Sequence, residues 1–399
     1  FEGGALAAFV CSVAHIPESA ADHRREGRPV THLARRGAVC HDAVATLRAR
    51  SLHPDAAAGD ALALLSCNDL GVRRVKEALA ELGGCDLAAA SEHIRSASRS
   101  AMLRGVRERL PEGEWAHEVC VESPGPPEPA LRLAAVLASR GGEVHIGLRA
   151  EGLPPASATA VPLACSEAYA RFAVVCAVGH GVPLNEGTLS TIRVTAAPES
   201  AFSAPRHGGS DLLAWRRLAH RLPDLVLGCL ARAAPGCARA ESAPVLCRLD
   251  LDEDVQPGAA GRGAAPAVHL EGGGIGAGPC ADGPSAGLYP SGLRCVPVEV
   301  TEASGPWLVR RRELRSDSGG AGSRRGGLGV LVEIAHATGA PFHLRHSPID
   351  ASPASPAGAA GGGCGASAAV RLSHGAPLPP CGAVPAGLSV IVATAGGGG

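Results

Sequence analysis

The stretch "RSDSGGAGSRRGGLGVLVEI" (residues 315–334) predicts the kind of structure formed by the second half of the chain. It ends in an apolar run rich in β-branched residues, and a similar run, "LVRRREL", precedes it. Short runs of this kind between glycines are typical of β-strands. We therefore predict two strands, at 308–315 and 327–334, with glycine-rich turns between them. Similar runs recur after residue 272, among them "RCVPVEV" (294–300), so the C-terminal part should be β-rich.

The serines of the glycine-rich segments suggest catalysis, but their surroundings do not favour it. Ser318 in "DSGG" and His15 keep the His…Asp…Ser order of trypsin-like proteases. Ser316, however, replaces the glycine expected before Asp317. Ser285 completes a G-x-S-x-G pattern, yet a nucleophile elbow needs a strand before it and a helix after it. Both serines are therefore interpreted as loop residues.

The composition excludes several functions. The 399 residues are 46% hydrophobic and carry a net charge of -1, which predicts a globular protein with no basic field for nucleic acid or a membrane surface. Lys76 is the only lysine and lies outside any Gly-Lys-Ser/Thr motif, so a P-loop is absent. The fourteen cysteines form no C-x-x-C pair, which argues against a structural zinc site and favours a reduced, cytoplasmic protein.

The first half of the chain reads mainly as helices. Helical periodicity from about residue 60 to 110, interrupted at Gly83-Gly84, predicts a helical hairpin. Further helices are predicted at 164–180 and 211–233. The runs "ALRLAAVLAS" and "EVHIGLRAEG" flank Arg140-Gly141-Gly142 and predict a β-hairpin. The fold class is therefore α+β, with a helix-rich part at 1–121 and a mixed part at 122–399 that is β-rich after residue 272.

Metal ligands are a further alternative. His15 and Glu18 have an i, i+3 spacing that can share one face of a turn, and His23, His32 and His41 follow. Sixteen histidines produce such clusters by chance, so spacing alone leaves the site open. The acidic run "LDLDEDV" (249–255) is interpreted as a solvated loop rather than a cation site.

The order of several segments carries a resemblance that single motifs do not. "GVPLNEGTLSTIRVTAAPES" (181–200), "LPDLVLGCLARAAPG" (222–236), "HLEGGGIGAGPCADGPSAG" (269–287), the run from 308 to 334 and "AGLSVIVATAGGGG" (386–399) follow one another. In this order they resemble the hydantoinase B family, the hydrolytic half of 5-oxoprolinase and N-methylhydantoinase. The resemblance extends over nearly the whole chain, although the family's Asn-Asp-Pro-Tyr segment is expected upstream of Phe1.

The resemblance implies a half-reaction. In this family a hydantoinase A-like partner, or an N-terminal half of the same chain, uses ATP to activate a small cyclic amide such as 5-oxoproline or a hydantoin. The B part then opens the ring, a step of glutathione metabolism in the 5-oxoproline case. This chain is therefore not expected to bind ATP itself. The oligomeric state stays open. The alternatives are an impaired paralogue that keeps only the scaffold and partner interface, and an acetone-carboxylase-like α subunit.

The resemblance also implies site residues. Asn68, Asn185, Arg221 and Asp224 fall on family positions and are the expected catalytic residues. His15 and Glu18 stand where the family has His-His-x-Asp, so they are the implied ligands of a divalent metal.

Other motif positions depart from the family pattern. The family's Gly-Val-His-Thr-His-Met stretch is "GLYPSG" here, with Tyr289 and Ser291 in place of the histidines. His220 replaces a glutamine, and an asparagine pair expected near 244–249 is absent. Structural glycines are thus largely kept, whereas polar site residues are largely replaced.

Overall fold

The computed structural model confirms the α+β class, with helices and antiparallel sheets in one chain. The chain divides into two compact units, one mainly of residues 1–99 and the other mainly of residues 100–399. None of the described helices is long and apolar enough to cross a membrane. The structure describes residues 6–14, 31–51, 54–83, 86–121, 131–152, 160–198, 200–204, 218–237, 239–243, 247–253, 267–346, 355–379 and 381–399.

The first unit contains the predicted helical hairpin. Helix α2 ends near Gly83, where a positive φ of 70° suits glycine, and α3 then begins after Asp86. The Asp86 carboxylate accepts a hydrogen bond from the Ala88 amide at 2.9 Å and so caps α3. The elements are β1 (Ala34–Arg35), β2 (Ala38–Val39), α1 (His41–Arg50), α2 (Pro54–Glu81) and the start of α3 (Leu87–Arg109).

The second unit begins with a four-stranded sheet that is covered on one face by helices. The order is β3-β4-β5-β6, and only β5 and β6 run parallel. The predicted hairpin is confirmed as β4 and β5. Alternate residues of β4, such as Leu133 and Leu137, are fully buried against the helices. The elements are β3 (Gly113–Val121), β4 (Leu131–Arg140), β5 (Glu143–Glu151), α4 (Leu163–Val178), α5 (Glu186–Leu189), β6 (Ile192–Ala196) and α6 (Leu222–Ala233).

The C-terminal part is a sandwich of two four-stranded sheets, as the β-rich pattern predicted. The sheets have the orders β12-β14-β10-β9 and β13-β11-β7-β8, and one hydrophobic core joins them. Leu249 and Phe342 come from one sheet, and Val332 and Val392 from the other. The elements are β7 (Cys247–Asp252), β8 (Ala267–Glu271), α7 (Val298–Ala303), β9 (Trp307–Leu314), β10 (Val330–His336), β11 (Phe342–Arg345), β12 (Ala369–Leu372), β13 (Cys381–Val384) and β14 (Ser389–Ala393).

The glycines of 315–329 have a different role from the one predicted. The flanking strands are confirmed as β9 and β10, which pair antiparallel. The glycines between them do not have positive φ; within 315–329 only Asp317 does, at 57°. They lie against other extended segments: a Cβ at Gly326 would come within 1.9 Å of the Gly397 carbonyl oxygen. These glycines are needed because backbones pack closely, not because the chain turns.

The tightly packed segments form a hydrogen-bonded frame, which we call the glycine frame (272–278, 318–329, 357–365 and 394–399). Backbone amides and carbonyls pair directly across it: Gly274 donates to Ala395, Gly327 to Ile275, and Gly397 to Gly327, each at 2.9 Å. Apart from a turn at Ser316-Asp317, the predicted turns are therefore replaced by segments that pair with parts of the chain distant in sequence.

Two apolar or acidic runs differ from their predicted structure. "RCVPVEV" reads as a strand, but Pro297 precedes helix α7, whose first residue is Val298. Proline is favoured at a helix start, and this local effect outweighs the β-branched residues. Asp250 and Asp252 belong to strand β7 rather than to a solvated loop, and Asp250 is paired with Arg248 at 2.7 Å.

An ion pair joins the edge strands of the two sandwich sheets. Glu271 on β8 is fully buried and accepts hydrogen bonds from Arg312 of β9 at 2.6 and 3.2 Å. His269 contacts the same carboxylate oxygen, Oε1, at 2.9 Å and also contacts Thr301. Because the glycine frame begins directly after Glu271, the ion pair between Glu271 and Arg312 fixes the position at which the frame starts.

Candidate active site

The N-terminus of α6 carries two of the predicted catalytic residues in one buried cluster. Arg221 is the N-cap residue, and Asp224 lies in the first turn. Leu222 and Leu225 beside them are fully buried, which fixes the start of the helix in the core. The side chains of Arg221 and Asp224 are only 7% and 5% exposed, so the protein removes both from water.

Burial gives Asp224 an unusual acidity. Loss of water raises the pKa of its carboxyl to about 8, and the nearby Glu241 adds to the increase. Arg221, a hydrogen bond from the Ser242 backbone and Arg239 act in the opposite direction but do not compensate. Asp224 is therefore mostly a neutral carboxylic acid at pH 7, despite its place at the positive end of a helix dipole.

Both side chains keep polar atoms available for a ligand. Within the part of the chain that the structure describes, Oδ1 of Asp224 and Nε of Arg221 are buried and form no hydrogen bond. Buried polar atoms are nearly always paired in folded proteins, so two such atoms in one helix turn require an explanation. A substrate that accepts a proton from Asp224 and a hydrogen bond from Arg221 would supply the missing partners.

The glycine frame positions the segment that faces Asp224. The backbone carbonyl of Glu241 accepts a hydrogen bond from the Gly398 amide at 2.8 Å. Its carboxylate accepts one from the Ala357 amide at 2.9 Å. Ser242 accepts a hydrogen bond from the Gly276 amide at 3.2 Å. The frame thus contributes to the site by holding 239–243 in place.

Tyr289 approaches the same cluster from the segment that follows the frame. Burial raises the pKa of its hydroxyl well above the usual value, and the charge of Asp224 acts in the same direction. Its ring lies 6.1 Å from that of Phe172 on α4. His220, which directly precedes Arg221, makes an edge-to-face contact with Tyr169 of α4, with the ring centres 5.6 Å apart. The phenol therefore stays protonated and can act only as a hydrogen-bonding group.

His117 on β3 packs against α6 on the side of Cys229. A Cβ at Gly228 would lie 2.1 Å from the His117 ring, so only glycine leaves room for the imidazole. Burial lowers the pKa of His117, and the charge of Arg232 lowers it further. The ring is thus predominantly neutral at pH 7. Burial also raises the pKa of the Cys229 thiol to about 11, which makes it a poor nucleophile.

The two asparagines predicted as catalytic lie in the first unit and have different partners. Asn68 on α2 accepts a hydrogen bond from Ser12 at 2.6 Å. Asn185 donates to Ser98 of α3 at 2.8 Å and accepts from the Gly187 amide at 2.9 Å. This pattern caps the short helix α5 and attaches it to α3. The structure brings Arg221 and Asp224 together; it gives Asn185 a capping role.

The loop serines have structural partners, as predicted. Ser318 is 1% exposed, donates to the Arg315 carbonyl at 2.7 Å and accepts from the Gly329 amide at 2.9 Å. Ser285 accepts from the Leu328 amide at 3.0 Å. His15 and Glu18, the predicted metal ligands, lie outside the described residues. Among the residues described, no group of three or more His, Cys, Asp or Glu side chains could hold a metal ion.

The cluster includes residues that sequence reasoning did not identify. Arg239, Glu241 and Ser242 surround Asp224, but "RAESA" follows no motif, and its position depends on hydrogen bonds to the distant glycine frame. In the sequence, the only signal at Tyr289 is that it replaces a histidine of the family pattern. Chemically, the cluster combines a neutral acid, a cation beside it and a protonated phenol, which suits proton donation to a leaving group and binding of a developing negative charge.

A family profile described as Hydantoinase B/oxoprolinase matches residues 11–399. Among curated proteins, the chain is 24% identical to 5-oxoprolinase 1 of Arabidopsis thaliana over 285 residues, which are 69% of this chain but 21% of the plant protein. The chain thus spans about a fifth of the length of that relative.

Two solved structures share the fold. The ATP-dependent caprolactamase of Pseudomonas jessenii superposes with a TM-score of 0.70 at 20% identity, covering 92% of this chain and 64% of the other. A nucleotide-free acetone carboxylase gives a TM-score of 0.64 at 12% identity, covering 92% and 55%. At these identities the likeness establishes the fold alone.

Proposed function

The chain belongs to the hydantoinase B/oxoprolinase family, and we propose that it opens a small cyclic amide after an ATP-using partner has activated the ring. The observation that carries the proposal is the pair Arg221 and Asp224: a buried neutral acid beside a buried cation, each with an unbonded polar atom. Hydrolysis of an amide needs a proton for the leaving nitrogen, and a neutral acid can supply it.

The proposed reaction consumes one ATP and two water molecules. The partner transfers the terminal phosphoryl group of ATP to the amide oxygen. Water adds to the activated ring carbon, and the C–N bond then breaks while the ring nitrogen takes the proton of Asp224, which leaves an acyl phosphate. The proton lost by the added water returns to the Asp224 carboxylate. A second water releases the phosphoryl group as inorganic phosphate. Arg221 stabilises the negative charge on the oxygen, and Tyr289 adds a hydrogen-bond donor beside Asp224.

ATP is assigned to the partner and a divalent metal to His15 and Glu18 within the same proposal. The description of the Pseudomonas relative as an ATP-dependent caprolactamase supports the use of ATP on a cyclic amide. Because the two ligand residues lie outside the described part of the chain, no step of the proposed sequence depends on the metal.

A second candidate is an impaired relative that keeps the scaffold and a partner interface. It is favoured by Tyr289, which stands at an expected histidine position and lies close enough to Asp224 for the charge of that carboxylate to raise the pKa of the phenol. The protonated phenol cannot act as a base near neutral pH, so a mechanism that requires a histidine there would fail. The acetone carboxylase likeness extends to the fold and favours no third activity.

The test is reconstitution. The purified chain and an A-type subunit of the family are incubated with ATP and, in turn, with 5-oxoproline, hydantoin and caprolactam. Ring-opened product and ADP should appear together only when chain, subunit and one of these amides are all present. Substrate-dependent ADP release without any ring-opened product, for all three amides and with a metal series added, would favour the impaired relative.

A further inference from the structure

The sheet β3-β4-β5-β6 has a second face, turned away from the helices, that carries a regular pattern of small and charged residues. Along β4 the outward residues are Arg132, Ala134, Val136, Ala138 and Arg140, and Val136 is 38% exposed. On this face the centre of β4 is small and neutral, whereas both ends of the strand carry an arginine. A solvent-facing strand more often carries large polar residues across its whole length.

Gly147 lies at the centre of this face and has no reason within the chain to be glycine. A Cβ built on it would meet no atom within 4 Å, and its φ is not positive. Glycine weakens a strand and often marks a place where another chain approaches closely. A cavity of about 170 Å³ opens here, lined in part by Val136, His145, Arg193 and Thr195.

The register of the sheet shows what could fill the cavity. Val136 on β4 lies opposite Gly147 on β5, so the face has a protruding side chain next to a missing one. A two-fold axis parallel to the strands, passing between β4 and β5, would place Val136 of one copy over Gly147 of the other. The face is therefore complementary to itself in shape.

The charges at the strand ends follow the same symmetry, whereas Arg149 lies opposite Ala134 in the register and Arg132 also pairs with Glu118 of its own chain at 3.0 Å. Arg140 lies opposite Glu143 and Arg132 opposite Glu151 in the register, so the axis places each arginine over a glutamate of the second copy. One row of the register crosses all four strands: Glu114 of β3 lies opposite Ala138, Ala138 opposite His145, and His145 opposite Arg193 of β6. The axis therefore places Glu114 of one copy over Arg193 of the other. Within one chain Glu114 contacts Arg140 only at 3.8 Å, in an exposed pair that contributes little.

We propose that this face is the interface of a symmetric dimer, in which a second copy of the chain packs its sheet face to face about a two-fold axis parallel to the strands. From strand and residue spacings, the face covers roughly 500 Å² per copy. This is less than the ~800 Å² per partner of a standard interface. The dimer should therefore dissociate on dilution. The inference does not depend on the proposed function.

The first test is Gly147→Val, followed by sedimentation velocity of the full chain over a concentration series. The wild type should dimerise, and the variant should dimerise at least about tenfold more weakly because valine fills the cavity. Its melting temperature should be equal or higher, since valine favours strand conformation. Gly236→Val is the matched control: its Cβ would also meet nothing within 4 Å, and it lies off the face.

The second test is a charge exchange. Glu114→Arg and Arg193→Glu should each weaken the dimer, and the double variant should restore it. These residues lie on opposite edge strands, about 14 Å apart from the strand spacing, so rescue within one chain is excluded.

Three results would overturn the proposal: a wild type that is monomeric throughout, dimerisation unaffected by Gly147→Val, or failure of the double variant to restore it. A monomeric chain whose Gly147→Val variant loses binding to an ATP-using subunit would assign the face to that subunit instead.

Discussion

At the scale of single residues, the environment of Asp224 determines its chemistry. Its carboxyl is buried at the start of α6, close to Glu241, and its pKa rises to about 8. A carboxylic acid that keeps its proton near pH 7 can donate that proton, whereas an ordinary aspartate cannot. The proposed role of Asp224 as the acid for the leaving nitrogen follows from this environment.

The raised pKa predicts how stability depends on pH. Unfolded Asp224 loses its proton near pH 4, while the folded form keeps it up to about pH 8. Between these values the folded state binds one more proton, so the group lowers the free energy of unfolding as pH rises. Asp224→Asn removes this contribution. Urea unfolding from pH 5 to 9 should show a flatter profile for the variant and a relative gain in stability at high pH.

Asp250→Asn is the matched control, because Asp250 is also buried but is paired with Arg248. It should not flatten the profile. Parallel profiles for wild type and Asp224→Asn would show that Asp224 ionises normally in the folded protein.

At the scale of elements, the closely packed glycines of the glycine frame should tolerate no side chain. A Cβ at Gly396 would lie 1.8 Å from the Ser318 carbonyl oxygen, a backbone atom that cannot move aside without displacing the frame. We expect Gly396→Ala to destabilise the second unit by about 3 kcal/mol or more, the upper range for overpacking. Gly236→Ala, with open space at its Cβ, should change stability by less than about 1 kcal/mol. Thermal unfolding of both variants measures the difference, and equal melting temperatures would contradict the close packing.

The elements could be predicted from the sequence where the pattern was local. The hairpin of α2 and α3, the hairpin of β4 and β5, and the strands β9 and β10 follow from periodicity and glycine positions. The segment at 294–300 was predicted as a strand because β-branched residues were weighted above Pro297, which precedes a helix. The glycines were interpreted as turns because close backbone packing depends on chains distant in sequence, such as Gly326 against Gly397.

The site could be predicted only through the family resemblance. Arg221 and Asp224 were identified by their motif and lie together in the structure. Their burial and the presence of Glu241 depend on tertiary packing, so the shifted pKa of Asp224 could not be read from spacing. The catalytic roles of Asn68, Asn185, Arg221 and Asp224 stay predictions. The metal-binding role of His15 and Glu18 also stays a prediction.

At the scale of the whole molecule, the proposed function makes the chain one component of a larger reaction. It spans 21% of the plant 5-oxoprolinase and 64% of the caprolactamase chain, so those proteins contain more than this fold. Within the proposed function, activation and ring opening belong to different parts of an assembly. This division predicts that a defect in Asp224 should separate the two half-reactions rather than abolish both.

The most direct test of this account compares ADP release with ring-opened product in the reconstituted assembly, for wild type and Asp224→Asn, with Asp250→Asn as control. We expect Asp224→Asn to retain substrate-dependent ADP release while product formation falls by about 100-fold or more, the scale of general acid catalysis. The control should keep both. If Asp224→Asn formed product at the wild-type rate, Asp224 would not be the acid that opens the ring.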